Sequence, residues 1–378
     1  MKRVRRWWLN LHACLGLALG SVFALLGVTG SLLVFYPEID RALNPVLRPS
    51  EHVYSTPSVQ AVVDKLRMLY PERSGGWRIE LPLNAHTPIN ARYARSSERE
   101  GRSFSPLVVT LDPVTLTRTS ERVWGDHLTT WVYDLHYTLL FDASGRLAVG
   151  VLGLAMLLSL VSGLCLWWPS TKRWRAALRP VVREGSVRRT YDLHALGGAY
   201  GAVLMFVLAL TGAGLALPNQ TRALLDPVLG IEHMPEVPVY KGASDLVPMN
   251  LDDAAAIAKG YFPQAELRWI DVPGRGEGPL GFRLHQPGEP GRRFPKTRVW
   301  VDPYGADILV IHDPAKTRVG NTVLDWLHPL HNGEALGLTG RWLVFVSGFL
   351  PLLLLATGLV RWRQKRRARR TARRRSCP

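Results

Sequence analysis

Four histidines stand within or beside apolar stretches, at matching places in the two halves of the sequence. His12 lies in a run of 28 residues, 9–36, that contains no Asp, Glu, Lys or Arg, and His194 lies at the start of a second charge-free run. His136 and His331 each precede by ten residues an arginine that opens a further apolar run. Strongly polar groups in a membrane span are costly unless they face a partner inside a helix bundle. These positions therefore predict that the histidines contact partners inside a helix bundle.

Paired imidazoles suit haem chemistry. A neutral imidazole is a good ligand for haem iron, and two axial imidazoles make a b-type electron-transfer site. We predict that His12 and His194 form a pair near the cytoplasmic face, and that His136 and His331 form a pair near the outer face. His328, in the motif "HPLH", is a third outer candidate. Two such sites would give electrons a path across the membrane.

Other roles for these histidines stay open at this point: a proton relay, a zinc site, or purely structural contacts. Zinc usually takes three or four protein ligands, whereas each level offers two or three histidines and no nearby cysteine pair. The absence of a C-x-x-C-H motif excludes covalent haem attachment of the c type. Arg146, Arg189 and Arg341 flank the two levels and are candidate partners of haem propionates, because Arg binds carboxylates bidentately. Contact with lipid phosphate is the alternative.

The elements that must position these histidines are membrane helices. Four windows are long, apolar and free of charged residues: 9–36, 147–168, 193–217 and 342–360. A bilayer core needs about 20 apolar residues in a helix, so each window can span it. The first run is too long for the apolar core of a signal peptide, and no A-x-A cleavage site follows it, so we expect a membrane anchor.

The positive charge predicts the orientation of these helices. The net charge is +17, and 21 of the 47 Lys and Arg residues lie in the amino terminus, the loop 169–192 and the tail from Arg361. The positive-inside rule therefore puts both termini and the middle loop in the cytoplasm and the two long polar segments outside. We expect the basic tail to anchor against anionic lipid rather than to bind nucleic acid.

The sequence also repeats itself. "TGSLLVFYPEIDRALNPVL" (29–47) corresponds to "TGAGLALPNQTRALLDPVL" (211–229), and "WVYDLHYTLLFDASGR" (131–146) corresponds to "WLHPLHNGEALGLTGR" (326–341). Both halves begin on the same side, so they are parallel repeats, and such halves pack about a pseudo-two-fold axis along the membrane normal. That symmetry would aim equivalent histidines at one central object from opposite sides.

The polar segments between the spans predict one helix followed by an antiparallel sheet in each half. "SVQAVVDKLRMLY" (58–70) has helical spacing, and short alternating runs such as "WRIELPL" and "LVVTLDPVT" follow it. The second half repeats the pattern with "LDDAAAIAKGYF" and "TRVWVDPYGADILVI". We therefore expect two α+β domains outside the membrane.

Several of these motifs carry a family resemblance. "LGVTGSLLVFYPEID", the Leu-His that precedes each Gly-Arg, "LVSGLCLWWP" and "WVDPYG" resemble PepSY-associated transmembrane proteins and, within them, the bacterial inner-membrane ferric-siderophore reductases. The resemblance covers the chain to about residue 365. It implies four spans, two periplasmic PepSY-like domains and two b haems, with the Leu-His positions of the family at His12, His136, His194 and His331.

The function implied is reduction of Fe(III) in a ferric siderophore, for example of the hydroxamate type, with release of Fe(II) in the periplasm. The electron donor would be quinol or a cytoplasmic reductase. Two rival functions are a non-enzymatic PepSY sensor or peptide-binding protein and an iron-siderophore transporter.

The predicted fold is a membrane helical bundle of four transmembrane helices in two parallel repeats, with two α+β periplasmic domains. Its predicted parts are a cytoplasmic amino terminus with the first span (1–36), a first periplasmic domain with an outer helix (37–145), the second span (146–168), a basic cytoplasmic loop (169–192), the third span (193–217), a second periplasmic domain with an outer helix (218–340), the fourth span (341–362) and a basic cytoplasmic tail (363–378).

Overall fold

The computed structural model of the chain describes residues 2–50, 57–93, 99, 102–179, 185–237, 247–274 and 278–375. Residues 180–184 of the predicted basic loop and 376–378 of the predicted tail lie outside these ranges. The helices are α1 (Lys2–Ala18), α2 (Gly20–Val34), α3 (Tyr36–Leu43), α4 (Val59–Leu69), α5 (Leu128–Thr138), α6 (Asp142–Trp167), α7 (Trp174–Ala177), α8 (Ser186–Ala216), α9 (Pro218–Leu229), α10 (Leu251–Tyr261), α11 (Val319–Asn332), α12 (Gly337–Ser347) and α13 (Leu350–Arg375). The strands are β1 (Trp77–Glu80), β2 (Ile89–Tyr93), β3 (Leu107–Leu111), β4 (Arg118–Val123), β5 (Glu266–Val272), β6 (Leu280–His285), β7 (Thr297–Val301) and β8 (Ile308–His312).

The chain divides into two compact units. The helical unit consists of Met1–Phe35, Val132–Thr221 and Leu330–Pro378, and the sheet unit consists of Tyr36–Trp131 and Arg222–Pro329. Each unit therefore contains segments from both halves of the sequence.

The helical unit contains the apolar spans. Three helices within the described ranges are long and apolar enough to cross a membrane: Asp142–Trp167, Ser186–Ala216 and Glu334–Ala372. A fourth span results if Arg3–Ala18 and Gly20–Val34, bent by 60° at their junction, are counted together. Large apolar side chains on these helices are exposed, for example Val203 at 76%, as expected of surfaces that face lipid rather than water.

Small residues set the helix spacing in this unit. A Cβ added to Gly27 on α2 would meet the backbone carbonyl oxygen of Gly348, which lies between α12 and α13. A Cβ on Gly153 of α6 would lie 3.0 Å from Cβ of Ala213 on α8. Without side chains at the crossings the backbones approach closely, and this is the usual basis of helix packing in membranes.

The sheet unit is built on one antiparallel sheet of eight strands. Its order is β4-β3-β2-β1-β5-β6-β7-β8, so each half of the sequence contributes four consecutive strands and the two sets join where β1 pairs with β5. At that seam Ile79 lies opposite Ile270. Alternating burial along the strands, as in β2, places one side of the pleat on the core.

The core of this unit lies between the sheet and two helices, α4 and α10, one from each half. Val62 and Leu66 of α4 and Ala254 and Ala258 of α10 are fully buried in the same cluster as the inward side chains of the strands. Ser58 directly precedes α4, and its side chain accepts a hydrogen bond from the backbone N–H of Ala61, which caps the start of the helix.

A buried aspartate closes the turn after β3. Asp112 accepts hydrogen bonds from the backbone N–H groups of Ser50, Val114 and Thr115 and from the Ser50 hydroxyl. Burial by itself raises the pKa of Asp112, but these hydrogen bonds outweigh it and lower the pKa well below the ordinary range. The carboxylate therefore stays ionised and holds the turn.

Two features of the fold differ from the sequence prediction. The two expected α+β halves share one sheet and one core and so form a single unit. The outer boundaries also shift, since the segments from Val132 and from Leu330 group with the helical unit rather than with the sheet. These segments carry His136 and His331, whose contacts are made with spans of the helical unit.

Candidate cofactor site

The four sequence-predicted histidines of the helical unit meet in two pairs. The ring centroids of His12 on α1 and His194 on α8 are 6.2 Å apart, with an angle of 76° between the ring planes. The ring centroids of His136 on α5 and His331 on α11 are also 6.2 Å apart, with an angle of 41°. Each pair takes one ring from each half of the sequence, as the repeat predicts.

Each imidazole contacts the hydroxyl of a serine or threonine on a neighbouring helix through its Nδ1 atom. The hydroxyl always lies in the same half of the sequence as its histidine. The four Nδ1-to-hydroxyl distances are 3.0 Å for His12 and Ser162, 3.0 Å for His194 and Thr357, 3.1 Å for His136 and Thr29, and 3.1 Å for His331 and Thr211.

The hydroxyl protons are already donated elsewhere, and this decides the tautomer of the rings. Every one of these hydroxyls donates to a carbonyl oxygen one turn earlier in its own helix, at distances of 2.7–2.8 Å. A hydroxyl has one proton, so its oxygen must accept from the ring, and Nδ1 carries the hydrogen. A backbone carbonyl also lies beside each Nδ1; for His12 it is Ser159 and for His331 it is Leu208, both at 3.1 Å.

With the hydrogen on Nδ1, the lone pair of each neutral ring is on Nε2. Within the described ranges no hydrogen bond engages Nε2 of any of the four rings. A metal-bound histidine characteristically has this arrangement, with one ring nitrogen held by a hydrogen bond and the other free to bind. The arrangement of the four rings therefore fits the binding of a metal or a haem iron through Nε2, which stays a prediction.

A glycine makes room for each ring. It directly follows the serine or threonine that holds Nδ1, and a Cβ at that glycine would crowd Cε1 of the imidazole. The distances from the added Cβ to Cε1 are 3.0 Å at Gly163, 3.3 Å at Gly358, 2.9 Å at Gly30 and 2.8 Å at Gly212. Each Ser-Gly or Thr-Gly pair, which we call a hydroxyl–glycine socket, therefore fixes the depth of one ring as well as its orientation.

The spacing of the rings fits one metal atom held between each pair. A ring nitrogen lies roughly 1 Å from its centroid and a metal–imidazole bond is about 2 Å long, so two rings on opposite sides of one metal have centroids about 6 Å apart. Among the described residues, no group of three or more His, Cys, Asp or Glu side chains converges as a metal cluster. Each pair thus offers two imidazoles, a donor set that would suit the iron of a b-type haem.

Comparison with known proteins places the chain in a family. The model of the PepSY-associated TM region matches residues 9–365, nearly the whole chain. The chain belongs to this family. A comparison with curated proteins gave no match.

His331, and not His328, is the histidine of "HPLH" that lies beside His136. The ring of His328 lies in the sheet unit, where it packs edge-on against Phe294 with centroids 4.6 Å apart. The two histidines of "HPLH" are three residues apart on α11, so the sequence could not separate them, whereas the structure does.

Two of the three predicted propionate partners cap helix ends. Arg146 donates to the carbonyl oxygen of Ala216, the last residue of α8, at 3.2 Å, and Arg341 donates to that of Val34, the last residue of α2, at 2.7 Å. A cation suits the negative end of a helix dipole. Arg189 is exposed in the first turn of α8. The role of these three arginines beside haem propionates stays a prediction.

The sockets are the site residues that the sequence analysis missed. The sequence did contain a signal for them. The dipeptide "TG" or "SG" occurs in the second half of each apolar window, at residues 29–30, 162–163, 211–212 and 357–358. The first and third of these were recognised only as marks of the repeat. Assigning them to histidines requires knowing which helices are neighbours, and spacing along the chain does not reveal that.

Proposed function

We propose that this membrane protein is an oxidoreductase that holds two b haems and reduces Fe(III) in a ferric chelate to Fe(II). The observation that carries the proposal is the pair of imidazole pairs, each with centroids 6.2 Å apart and each ring held through Nδ1. Histidines with a purely structural role would not need a free Nε2 atom. A proton relay would not need the same hydroxyl–glycine socket at every ring.

The residues that would hold the two groups are His12 with His194, and His136 with His331. Haem b, when bound, supplies a one-electron Fe(III)/Fe(II) couple. The chain itself orients the ligands: the hydroxyls keep the hydrogen on Nδ1 and aim Nε2, and the socket glycines set the depth of the rings. The apolar helices around them limit the access of water, which is one of the ways a protein sets a redox potential.

The proposed substrate is a ferric siderophore, and the proposed donor of the one electron per iron is quinol or a cytoplasmic reductase. Oxygen ligands such as those of siderophores hold Fe(II) less tightly than Fe(III) because its charge is lower, so reduction releases the metal. The proposed location is the bacterial inner membrane, with both basic termini in the cytoplasm and the sheet unit in the periplasm, as the distribution of Lys and Arg predicts.

A visible absorption spectrum tests the proposal first. The protein purified in a mild detergent should show a Soret band and, after dithionite, the sharpened visible bands of a six-coordinate b haem, with two haems per chain. His194→Ala should remove about half of the haem, whereas His328→Ala should leave all of it, because His328 lies in the sheet unit against Phe294.

A folded, colourless protein after expression with added haem would refute the cofactor assignment and favour a sensor or a transporter. If haem is present, chain reconstituted in vesicles with a reduced donor should convert Fe(III) chelates to Fe(II), detected with ferrozine. Full haem loading without turnover from any donor would refute the reductase function and leave the cofactor assignment intact.

A further inference from the structure

The face of the sheet that points away from α4 and α10 is lined by arginines. Residues directly opposite each other on paired strands share a face, and the registers define two rows across the five central strands. The first row, from β2 to β7, is Arg92, Arg78, Asp271, Gly281 and Trp300. The second row is Asn90, Glu80, Trp269, Arg283 and Arg298. We call these two rows the arginine face.

The arginine face carries four positively charged side chains and two negatively charged ones. Glu80 forms an ion pair with Arg92. Asp271 is shared, since it accepts from Arg78 and, at 3.2 Å, from Arg283. One carboxylate thus serves two guanidinium groups at the centre of the sheet.

Arg298, one of the four positive groups, is attracted by Asp271 and Asp325 at longer range but forms no direct ion pair with a described residue. Within the described part of the chain no carboxylate lies within ion-pair distance of it, and its recorded side-chain hydrogen bond is to Sδ of Met234 at 3.5 Å, a weak acceptor. Its Nε atom is buried and has no hydrogen-bond partner among the residues that the structure describes. A buried donor of a charged group without a partner is costly, so an anion at this place would be stabilising.

The charged side chains are only partly accessible to water. The side chain of Arg283 is 17% exposed and that of Arg78 is 40% exposed. Burial, together with the repulsion of Arg298 and Arg78 and against the attraction of Asp271, lowers the pKa of Arg283 to about 10. The group stays protonated at neutral pH, so its charge persists where screening by water is weak.

A buried tryptophan orders these side chains. The guanidinium carbons of Arg283, Arg78 and Arg92 lie 5.0, 5.5 and 5.8 Å from the ring centroid of Trp269, which is itself 4% exposed. Such cation–π contacts limit the freedom of the guanidinium groups. Ordered side chains lose less entropy when they bind a ligand, so the face is organised before binding.

We propose that the arginine face is a binding site for a negatively charged metal chelate that presents carboxylate oxygens. Planar guanidinium groups match carboxylates bidentately, and the excess positive charge selects against cationic chelates. The inference rests on the proposed function for the identity of the metal, iron, and it sharpens the substrate class: an anionic, carboxylate-type ferric chelate rather than a cationic hydroxamate.

Calorimetric titration of the full chain in a non-ionic detergent tests the site, with Ga(III)–citrate as a probe that cannot be reduced under these conditions. The unmodified chain should bind it. Arg78→Gln and Arg298→Gln should each weaken binding about tenfold or more, the loss expected for one charge-assisted hydrogen bond. Arg298→Lys, which keeps the charge, should lose less than Arg298→Gln.

Asp271→Asn should change the affinity for Ga(III)–citrate in the opposite direction. It removes negative charge from the middle of the face, so Ga(III)–citrate should bind more tightly, whereas a residue that only maintains the fold would give equal or weaker binding when changed. Arg67→Gln is the matched control, since Arg67 lies on α4, on the other side of the sheet, and should leave affinity unchanged.

The proposal is overturned if Arg78→Gln and Arg298→Gln bind Ga(III)–citrate as the unmodified chain does. It is also overturned if the cationic Ga(III)–desferrioxamine B binds as tightly as Ga(III)–citrate, or if Asp271→Asn weakens binding in a chain whose thermal unfolding is unchanged. Haem content, measured on the same samples, separates the two proposals. Binding to a chain that stays haem-free after expression with added haem supports the site and refutes the redox function. A haem-loaded chain whose binding does not depend on charge refutes the site and leaves the cofactor assignment intact.

Discussion

The orientation of a histidine ring depends on what holds its Nδ1 atom, and this chain uses one arrangement four times. In each case the hydroxyl donates to its own helix and accepts from Nδ1, so the hydroxyl cannot turn away without losing a second hydrogen bond. Partners of this kind fix the tautomer and orientation of the ligand and typically change metal affinity 10–100-fold.

Thr211→Val tests this directly at the outer pair. The substitution keeps the shape of the side chain and removes the hydroxyl that His331 Nδ1 donates to at 3.1 Å. The carbonyl of Leu208 remains as an acceptor, so we expect the proposed outer haem to be retained more weakly, by about tenfold at the lower end of the usual range, and its reduction potential to shift. Haem content after extended dialysis against apomyoglobin and a redox titration measure the two effects.

Two variants serve as controls for Thr211→Val. Thr211→Ser keeps the hydroxyl and should restore both properties. Thr190→Val removes the hydroxyl of another threonine of α8, which donates one turn back to the carbonyl oxygen of Ser186 and forms no hydrogen bond with a histidine among the described residues. If Thr190→Val has the same effect as Thr211→Val, the hydroxyl acts on the helix and not on the imidazole.

At the scale of the elements, α2 crosses the last span closely near the socket formed by Thr29 and Gly30. Gly27 meets the backbone of Gly348 there, and α2 carries Thr29 two residues further along. Gly27→Ala should therefore push the helices apart, because the carbonyl of Gly348 cannot rotate aside as a side chain could. We expect a loss of about 1–3 kcal/mol in unfolding free energy, the usual cost of overpacking, measured by thermal unfolding in detergent.

Gly16→Ala is the matched control for that substitution. Gly16 belongs to the same predicted span, and a Cβ added there meets no atom of the described residues within 4 Å. Ala also favours the helix over Gly by up to about 1 kcal/mol. A stability of Gly27→Ala equal to or above that of Gly16→Ala would contradict the close crossing.

The helices could be predicted from the sequence more fully than the way in which they bend and pack against each other. Hydropathy identified the windows of α6, α8 and the last span, since a membrane helix needs a long apolar run. The bend of 60° between α1 and α2 was not predicted, because the run 9–36 is apolar throughout and nothing in its composition marks Leu19. The pairing of His12 with His194 followed from the repeat, but the choice of His331 over His328 needed the packing of α11.

At the scale of the whole chain, the sequence analysis expected two outer domains where the structure has one sheet. The strands within each half could be expected from their alternation, whereas the pairing of β1 with β5 joins strands that are far apart in the chain. Local pattern carries no information about such a pairing, because both strands look like ordinary members of their own half. The shared seam has a consequence for how the sheet unit unfolds.

Ile79→Ala tests that consequence. Ile79 is fully buried on β1 and lies opposite Ile270 of β5, and truncating such a side chain costs about 2–5 kcal/mol through lost contacts and a cavity. In a single cooperative unit the loss is shared, so hydrogen exchange should accelerate in β6 and β7 as well as in β2 and β3. Met68→Ala, at a position 65% exposed on α4, should accelerate neither. Faster exchange confined to β1–β4 would mean that each half folds by itself, and the seam would then be a contact between two domains rather than the centre of one.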